Sequence, residues 1–476
     1  MMNYQSNRNY KVILFICLMI FLLLWSFYGK LIESKLSFTQ PISSTVKEIT
    51  VIVVFLQLTG IMLFLVYKNY SNRVNIVLFF ALILTVFSFF FKTQTPSSIF
   101  FSIKFNALSL LIGMRIITVI LDETGFFDMA VYKVYRIAGK SPLKILVLFS
   151  LLSYFFSLFS GSLTTMLAIA PITLSLASSI GFNPVPVIIS EMICSNLGNA
   201  STMIGAIPNM IIDSEVSIHF NSFICFMMPI CLILLSFLLF YMDYNRKEFG
   251  ILKNNIKFLK SVKIVKPLHF EREEKAYKIT IIMLLHIVIL LFLSHKTFLR
   301  PAAIVLIFGF SAFLFSGLNK EKIISKIDYD EILFLIGLFI ISHLWNTAGI
   351  DHYIVQGIKT LSFGKLWLTA LIILWLSAAF TSIFGGNIAV VMLLPIVIGV
   401  SNNIFFWSMS LGIMCGTSLS KMENNSIKAI IDNFYIRYQF KSENKNIISF
   451  NQTSVNISLM FLIACSVYVV WLCIRS

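Results

Sequence analysis

Apolar residues run along this chain in stretches of roughly 17 to 25 positions separated by short polar segments, and that is the length a helix needs to cross a bilayer. The runs predict membrane helices near 11 to 28, 49 to 67, 74 to 91, 103 to 121, 185 to 212, 222 to 242, 278 to 294, 301 to 317, 331 to 349, 404 to 432 and 455 to 473. Two longer apolar blocks, 143 to 182 and 366 to 401, have polar or glycine-rich centres, Ser160-Gly161-Ser162 and Gly385-Gly386-Asn387. Each reads as a hairpin that enters the membrane and returns. Two other helices are interrupted at depth, by Ser195 to Asn209 and by Gly416 to Asn425. Hydrocarbon offers the backbone no hydrogen-bond partners, so such breaks belong where protein or an aqueous cavity surrounds them. The expected fold is an all-α polytopic membrane protein, with about 11 transmembrane helices, two re-entrant hairpins and broken helices.

Composition removes the alternatives. Of 476 residues, 58% are hydrophobic and only 12% charged, and the mean hydropathy of +0.89 lies outside the soluble globular range. The net charge of +16 raises the question of nucleic acid. Its basic residues lie in short segments between apolar runs and not on one soluble domain, so no nucleic-acid partner is expected. They act instead as topology signals. The segment from 243 to 277 carries Arg246, Lys247, Lys253, Lys257, Lys260, Lys263, Lys266, Arg272 and Lys275 and is assigned to the cytoplasm. Threading from it puts the N-terminus inside too, with the basic residues around Lys68, Lys133 to Lys144 and Lys320 to Lys326. The first run follows Arg8 and Lys11 but has no small-x-small cleavage site, so it reads as a retained helix. Seven cysteines in or beside apolar runs, with no CxxC, give no disulfide or zinc pattern. No HExxH, Walker loop or GxSxG occurs, so neither an enzyme, a metal site nor a cofactor is expected.

Leu111-Ile112-Gly113 recurs as Leu335-Ile336-Gly337, 224 positions on. The same offset relates Gly125 to Gly349, Phe156 to Phe380, Gly161 to Gly385 and Pro171 to Pro395. Glycines and prolines in one gapless register mark a duplication. The helices between the copies put the second on the opposite side of the membrane, making the repeats inverted, the basis of alternating access. Amphipathic segments follow each copy, Gly125 to Gly139 and Gly349 to Phe363, and read as interfacial arms or as ordinary loop helices. The resulting domain plan is a scaffold over 1 to 100, a first repeat core over 101 to 242, the basic loop 243 to 277, scaffold helices over 278 to 330, and a second repeat core over 331 to 476.

The hairpin tips and the two interruptions supply the candidate solute ligands: Ser160, Ser162, Thr164, Thr165, Ser195, Asn196, Gly198, Thr202, Asn209, Asn387, Thr417, Ser418 and Lys421. Half-helix ends present free N–H groups at one break and free carbonyls at another, so one site holds an anion and a cation together. Small residues also let helices pack closely, which accounts for one such patch more readily than for four. Lys421 and Glu423 carry charge at membrane depth, at about 2.5 to 3.5 kcal/mol each on the insertion scale. Lys421 is read as a fixed charge for an anion, with Glu423 or Glu191 as counter-charge, against an internal pair without function or a snorkelling lysine. Arg115, Asp122 and Glu123 lie within about two turns of one helix and read as structural pairing, and His343 as a hydrogen-bonded interior histidine or a proton relay.

Thr164-Thr165, Pro171, Pro184, Pro186, Glu191, Ser195-Asn196, Gly198, Thr202, Gly205 and Pro208-Asn209 form a TT tip, an NPxP helix start and an ExxxSNxGxxxTxIGxxPN break. This block resembles the ion transporter superfamily: arsenite permeases, the sodium/proton antiporter NhaD, P protein, and citrate or dicarboxylate carriers. It is most similar to the arsenite permease and P protein branch, over roughly residues 100 to 430. Where that branch has an Asp-Asn pair at each tip, this chain has Gly161-Ser162 and Gly385-Gly386, and Ala206 replaces another aspartate. The missing carboxylates put strict H⁺ or Na⁺ antiport by the tips in doubt. The resemblance implies a permease with a homodimer as its assembly, while Lys421 points to a small anion or oxyanion as solute, with Na⁺ or H⁺ as coupling ion and lipid as its surroundings, and the Lys, Asn, Ile and Phe usage points to a bacterial inner membrane. A cation antiporter, an uncoupled channel-like relic and, more remotely, an intramembrane enzyme are the alternatives.

Overall fold

The computed structural model describes residues 44–91, 94–139, 141–180, 182–216, 218–245, 274–294, 300–420 and 445–475. The expected helix at 11 to 28, most of the basic loop, Lys421 and Glu423 lie outside them. Every element of regular structure among the described residues is helical. Eight helices are long and apolar enough to cross a membrane, and five shorter apolar helices accompany them.

The chain divides into two compact units. The first comprises the described residues up to Ile103 together with Leu333–Tyr353. It holds α1 (Ser44–Lys68), α2 (Arg73–Phe90) and the short α3 (Pro96–Phe101). Phe55 of α1 meets Phe87 of α2 edge to face at 5.7 Å between ring centroids. α3 is set by a Thr95/Ser98 capping box and Pro96 at its first turn. His343 lies half-buried in this unit with Nε2 3.3 Å from Gln94 Oε1.

The second unit comprises Lys104–Ile332 and Ile354–Ser476. Its first half runs α4 (Phe105–Glu123), α5 (Phe126–Ala138), α6 (Pro142–Ser160), α7 (Ser162–Ile180), α8 (Pro184–Ser201), α9 (Ile207–Val216) and α10 (Phe220–Tyr244). Then come α11 (Glu274–Leu293), α12 (Pro301–Phe315), α13 (Lys320–Ser325) and α14 (Tyr329–Thr347), which begins in this unit and continues into the first. The second half has α15 (Ile350–Leu361), α16 (Leu366–Phe384), α17 (Gly386–Val400), α18 (Ile404–Leu419) and α19 (Lys445–Arg475).

The repeat appears in the element boundaries themselves. α4 and α14, and likewise α6 and α16, begin and end 224 residues apart, and α5 and α15 start at that offset. Each hairpin turns on one glycine, Gly161 at φ 78°, ψ 155° and Gly385 at φ 90°, ψ 160°. A side chain there is strained, so two helices can reverse this tightly only at glycine.

Beyond the hairpins the register slips. A Cβ on Gly198 would run into the Tyr154 carbonyl oxygen, and one on Gly416 would lie 2.5 Å from the Ala378 carbonyl oxygen. Tyr154 and Ala378 keep the 224 offset, whereas Gly198 and Gly416 are 218 apart, so the second copy is six residues shorter between tip and broken helix. Each glycine lets α8 lie against α6, or α18 against α16, at a separation no side chain permits.

Arg115 is not paired with Asp122 or Glu123, contrary to expectation from the sequence. Those carboxylates sit at the end of α4, where Lys326 reaches Asp122 Oδ2 at 2.9 Å and Glu123 Oε1 at 2.5 Å, and Lys322 also binds Glu123. Arg115 is two turns away and turns elsewhere. At the opposite end of α4, Lys104 pairs with Glu215 of α9.

Candidate functional site

The residues singled out in the sequence converge in the second unit, but the unwound stretches are shorter than their composition implied. Ser195 to Ser201 complete α8, and the chain opens only between Thr202 and Ala206. In the second half Gly416 to Leu419 are still helical, and the helix ends at Leu419 with Ser420 as its C-cap, the last of the described residues there. Thr202 and Ser420 are equivalent C-caps, 218 residues apart, both with extended backbone (φ −127°, ψ 157° and φ −65°, ψ 120°).

Side-chain bonds fix the first break. Thr202 Oγ1 donates to the Leu158 carbonyl at 2.5 Å and accepts the Gly205 N–H at 3.1 Å. Asn209, in the first turn of α9, donates to the Thr202 carbonyl at 2.9 Å and accepts from Ser410 of α18 at 2.9 Å. Two of the backbone groups freed by the interruption, the Gly205 N–H and the Thr202 carbonyl, are thereby satisfied by the side chains of Thr202 and Asn209.

The hairpin tips abut these breaks. A Cβ on Gly161 would lie 3.7 Å from the Gly205 carbonyl oxygen, and one on Gly386 would lie 3.4 Å from Pro208 Cγ and 3.5 Å from Thr417 Cγ2. Within the first tip the Ser160 and Thr165 hydroxyls lie 2.8 Å apart, and each is also within reach of a carbonyl, Phe156 O and Gly161 O respectively, so one hydroxyl donates to the other and the second to its carbonyl. Asn196 Nδ2 donates to Ser418 Oγ at 3.0 Å, which ties α8 to α18. Ser162, Thr164 and Asn387 stand at the two tips.

Other candidates are placed differently. Ser195 gives its hydroxyl to Met192 O at 2.8 Å inside its own helix, and Gly198 serves the packing against α6. Glu191 lies deep on α8, fully buried, accepting from Thr173 of α7 at 2.5 Å, while its second oxygen has no partner among the described residues.

Two groups next to the tips were missed as ligands. Arg115 of α4 donates to Thr164 Oγ1 at 3.1 Å, and Glu331 at the start of α14 accepts from Asn387 Nδ2. A symmetric set of hydroxyls was missed as well: Ser153 and Ser157 on α6, and Ser377 and Thr381 on α16, again 224 apart. All four are buried, and none has a hydrogen-bond partner among the described residues. Other buried helical serines have a partner, either a carbonyl one turn back, as Ser201 has in Leu197 O, or a side chain of another helix, as Ser410 has in Asn209, so these four oxygens stand out.

Two hairpins, each turned on a glycine, thus bring the polar candidates of both halves against α8, α9 and α18. Comparison with known proteins identifies the family. A family model described as a citrate transporter matches residues 61–414, which takes in both hairpins and the first break. The chain belongs to the citrate transporter family. Among relatives in this family's range, magnetosome protein MamN of Magnetospirillum gryphiswaldense is 31% identical over 347 residues, covering 71% of this chain and 78% of MamN. The uncharacterized transporter Rv2685 of Mycobacterium tuberculosis is 28% identical over 328 residues, covering 67% of this chain and 76% of that one. The human P protein is 36% identical over a shorter stretch of 156 residues, 31% of this chain and 19% of that protein. In fold, the chain is similar to the YdaH transporter of Alcanivorax borkumensis, with a TM-score of 0.53 at 14% identity over 76% of this chain and 84% of YdaH. As a citrate transporter family member the chain is a multi-pass membrane transporter.

Proposed function

We propose that the chain is a secondary carrier that moves a small anion or oxyanion by alternating access, with solute held between the two hairpin tips and the two breaks. The observation that carries this reading is the convergence of both tips on both broken helices, Gly161 on Gly205 and Gly386 on Pro208 and Thr417. An inverted repeat with such a centre has two related conformations, one open to each side, when the halves exchange roles. The solute ligands are Ser162, Thr164, Asn196, Thr202, Asn209, Asn387, Thr417 and Ser418, with Ser160 and Thr165 shaping the first tip. Lys421, which lies outside the described residues, stays in the proposal as a fixed charge for the anion, with Glu423 or Glu191 as its counter-charge. α4 and α11 to α14 act as scaffold, and the hairpins with α8, α9 and α18 as the moving part. The carrier works as a homodimer in a bacterial inner membrane with its N-terminus in the cytoplasm.

The four buried hydroxyls of α6 and α16 supply oxygen ligands for a small coupling cation, Na⁺ or H⁺ carried on water, in both halves alike. A cation antiporter is the second reading, favoured by the Glu331 carboxylate at the Asn387 tip. The family description makes citrate the first solute to try. The deciding experiment is reconstitution in liposomes, with citrate, succinate, sulfate, arsenite and chloride offered under imposed Na⁺ and H⁺ gradients. Saturable uptake of an anion with counter-flow is the expected result. Cation exchange with no anion movement would establish the antiporter instead, and unsaturable leak would establish a channel.

A further inference from the structure

Arg115 is the eleventh residue of the 19-residue α4, about 15 Å along the helix from its start, and therefore near the middle of a span. A guanidinium stays protonated in proteins, so the charge is permanent. Placing it there costs about 2.5 to 3.5 kcal/mol on the insertion scale, and ionisable groups at such depth mark solute or ion pathways. Elsewhere in this unit three lysines find carboxylates: Lys104 takes Glu215, Lys322 takes Glu123, and Lys326 takes Asp122 and Glu123. Among the described residues no ion pair forms at Arg115. Its one hydrogen bond there runs from a terminal nitrogen to Thr164 Oγ1 at 3.1 Å, which leaves most of its five N–H donors unassigned.

Thr164 is the third residue of α7, at the tip whose Gly161-Ser162 contains no carboxylate. The other tip has the opposite partner, for Asn387 donates to the carboxylate of Glu331. The position of Arg115 across the repeat, 224 residues on, is Phe339, so the positive charge belongs to one half only.

We infer that Arg115 is the specificity-determining residue of the first tip: with Thr164 it forms a subsite for an anionic oxygen group of the solute, a carboxylate taken through the guanidinium fork. This rests on the anion-carrier reading above and adds to it the residue that provides the charge. A fork of parallel N–H groups matches a carboxylate, whereas a lysine offers only a point charge. The threonine hydroxyl orients the guanidinium and adds a donor.

The test uses the full-length protein in detergent, with citrate, succinate, chloride and the uncharged trimethyl citrate as probes, and reads ligand-induced shifts in unfolding temperature together with Kd. Wild-type protein should bind the carboxylates and not the ester. Arg115→Met should weaken citrate binding about 10- to 100-fold, the worth of a lost charge-assisted contact, with the ligand-free unfolding temperature little changed. Arg115→Lys should recover part of the loss, and Thr164→Val should cost a smaller factor. Citrate binding of wild-type strength in Arg115→Met overturns the inference and leaves the anion carrier standing. If that variant does not fold, unchanged affinity in both Arg115→Lys and Thr164→Val overturns it. A wild-type protein that binds no anion overturns both readings.

Discussion

Asn196 and Ser418 join the two broken helices, the amide Nδ2 donating to the hydroxyl at 3.0 Å with both side chains buried. Asn196 lies on α8 and Ser418 on α18, so the bond spans the two inverted halves. Either partner alone would leave a buried polar group unsatisfied, at about 1 to 3 kcal/mol, whereas removing both costs less than the sum. Asn196→Ala and Ser418→Ala should each lower the unfolding free energy in detergent, and the double variant should recover about 1 kcal/mol of the sum. Strict additivity would show that the two side chains do not interact in the folded protein.

Gly198 and Gly416 set the distance between each hairpin and its broken helix. A methyl group at either meets a carbonyl oxygen of the facing helix, Tyr154 or Ala378, and backbone cannot swing aside as a side chain can. Gly198→Ala and Gly416→Ala should each cost about 1 to 3 kcal/mol, the usual penalty for overpacking. Gly60 is the control. It lies within α1 with nothing inside 4 Å of its virtual Cβ, so Gly60→Ala should be neutral or stabilising, by up to about 1 kcal/mol. Thermal unfolding of the three variants separates crowding from a general intolerance of helix substitution.

Much of this was legible in the chain. Helix positions followed from apolar run length, because hydrocarbon enforces it, and the offset of 224 was readable from glycines and prolines that a hairpin cannot vary. The breaks were located less well. Ser195, Ser201 and Thr417 look like loop composition, yet each bonds a carbonyl of its own helix and prolongs it. Polarity therefore marked the region and not the unwound residues. The six-residue contraction after the second hairpin also hid the equivalence of Thr202 and Ser420, since a gapless register pairs the wrong positions. Arg115 was visible as a charge in an apolar run, but its partner is 49 residues away, and Glu331 reaches Asn387 across 56. No local pattern encodes such contacts.

The lysine cluster at the end of α4 makes a pH prediction. Burial pulls the Lys326 ammonium down, but the hydrogen bonds and charges of Glu123 and Asp122 outweigh it and hold the group above its ordinary value of 10.5. A lysine raised in this way stabilises the fold fully below its unfolded value, and the contribution fades as pH rises through the folded one. The Lys326 side chain is 42% exposed, so solvent reduces the effect to about 0.5 to 1 kcal/mol. Wild-type protein should exceed Lys326→Met by that amount from neutral pH to about pH 10, and the gap should close at higher pH. Unfolding temperatures of the pair across pH 7 to about 12 check it; a gap that does not narrow at the top of that range would mean packing and not charge.

Glu191 offers the sharpest test of coupling. Its carboxyl group is fully buried between α8 and α7, with one oxygen held by Thr173 and the other without a partner among the described residues. A carboxyl group in such surroundings, beside a helix of the proposed moving part, is suited to take up and release a coupling ion. Glu191→Gln keeps the shape and the acceptor for Thr173, so the fold should survive with an unfolding temperature within about 2 °C of wild type, as for a change well under 1 kcal/mol. Gradient-driven accumulation in liposomes should fall at least about tenfold, roughly the effect of losing 1.4 kcal/mol of coupling, while counter-flow exchange of labelled solute continues. Accumulation at the wild-type level would remove Glu191 from the coupling path, and joint loss of accumulation and exchange would assign it to solute binding or to the structure of the helix.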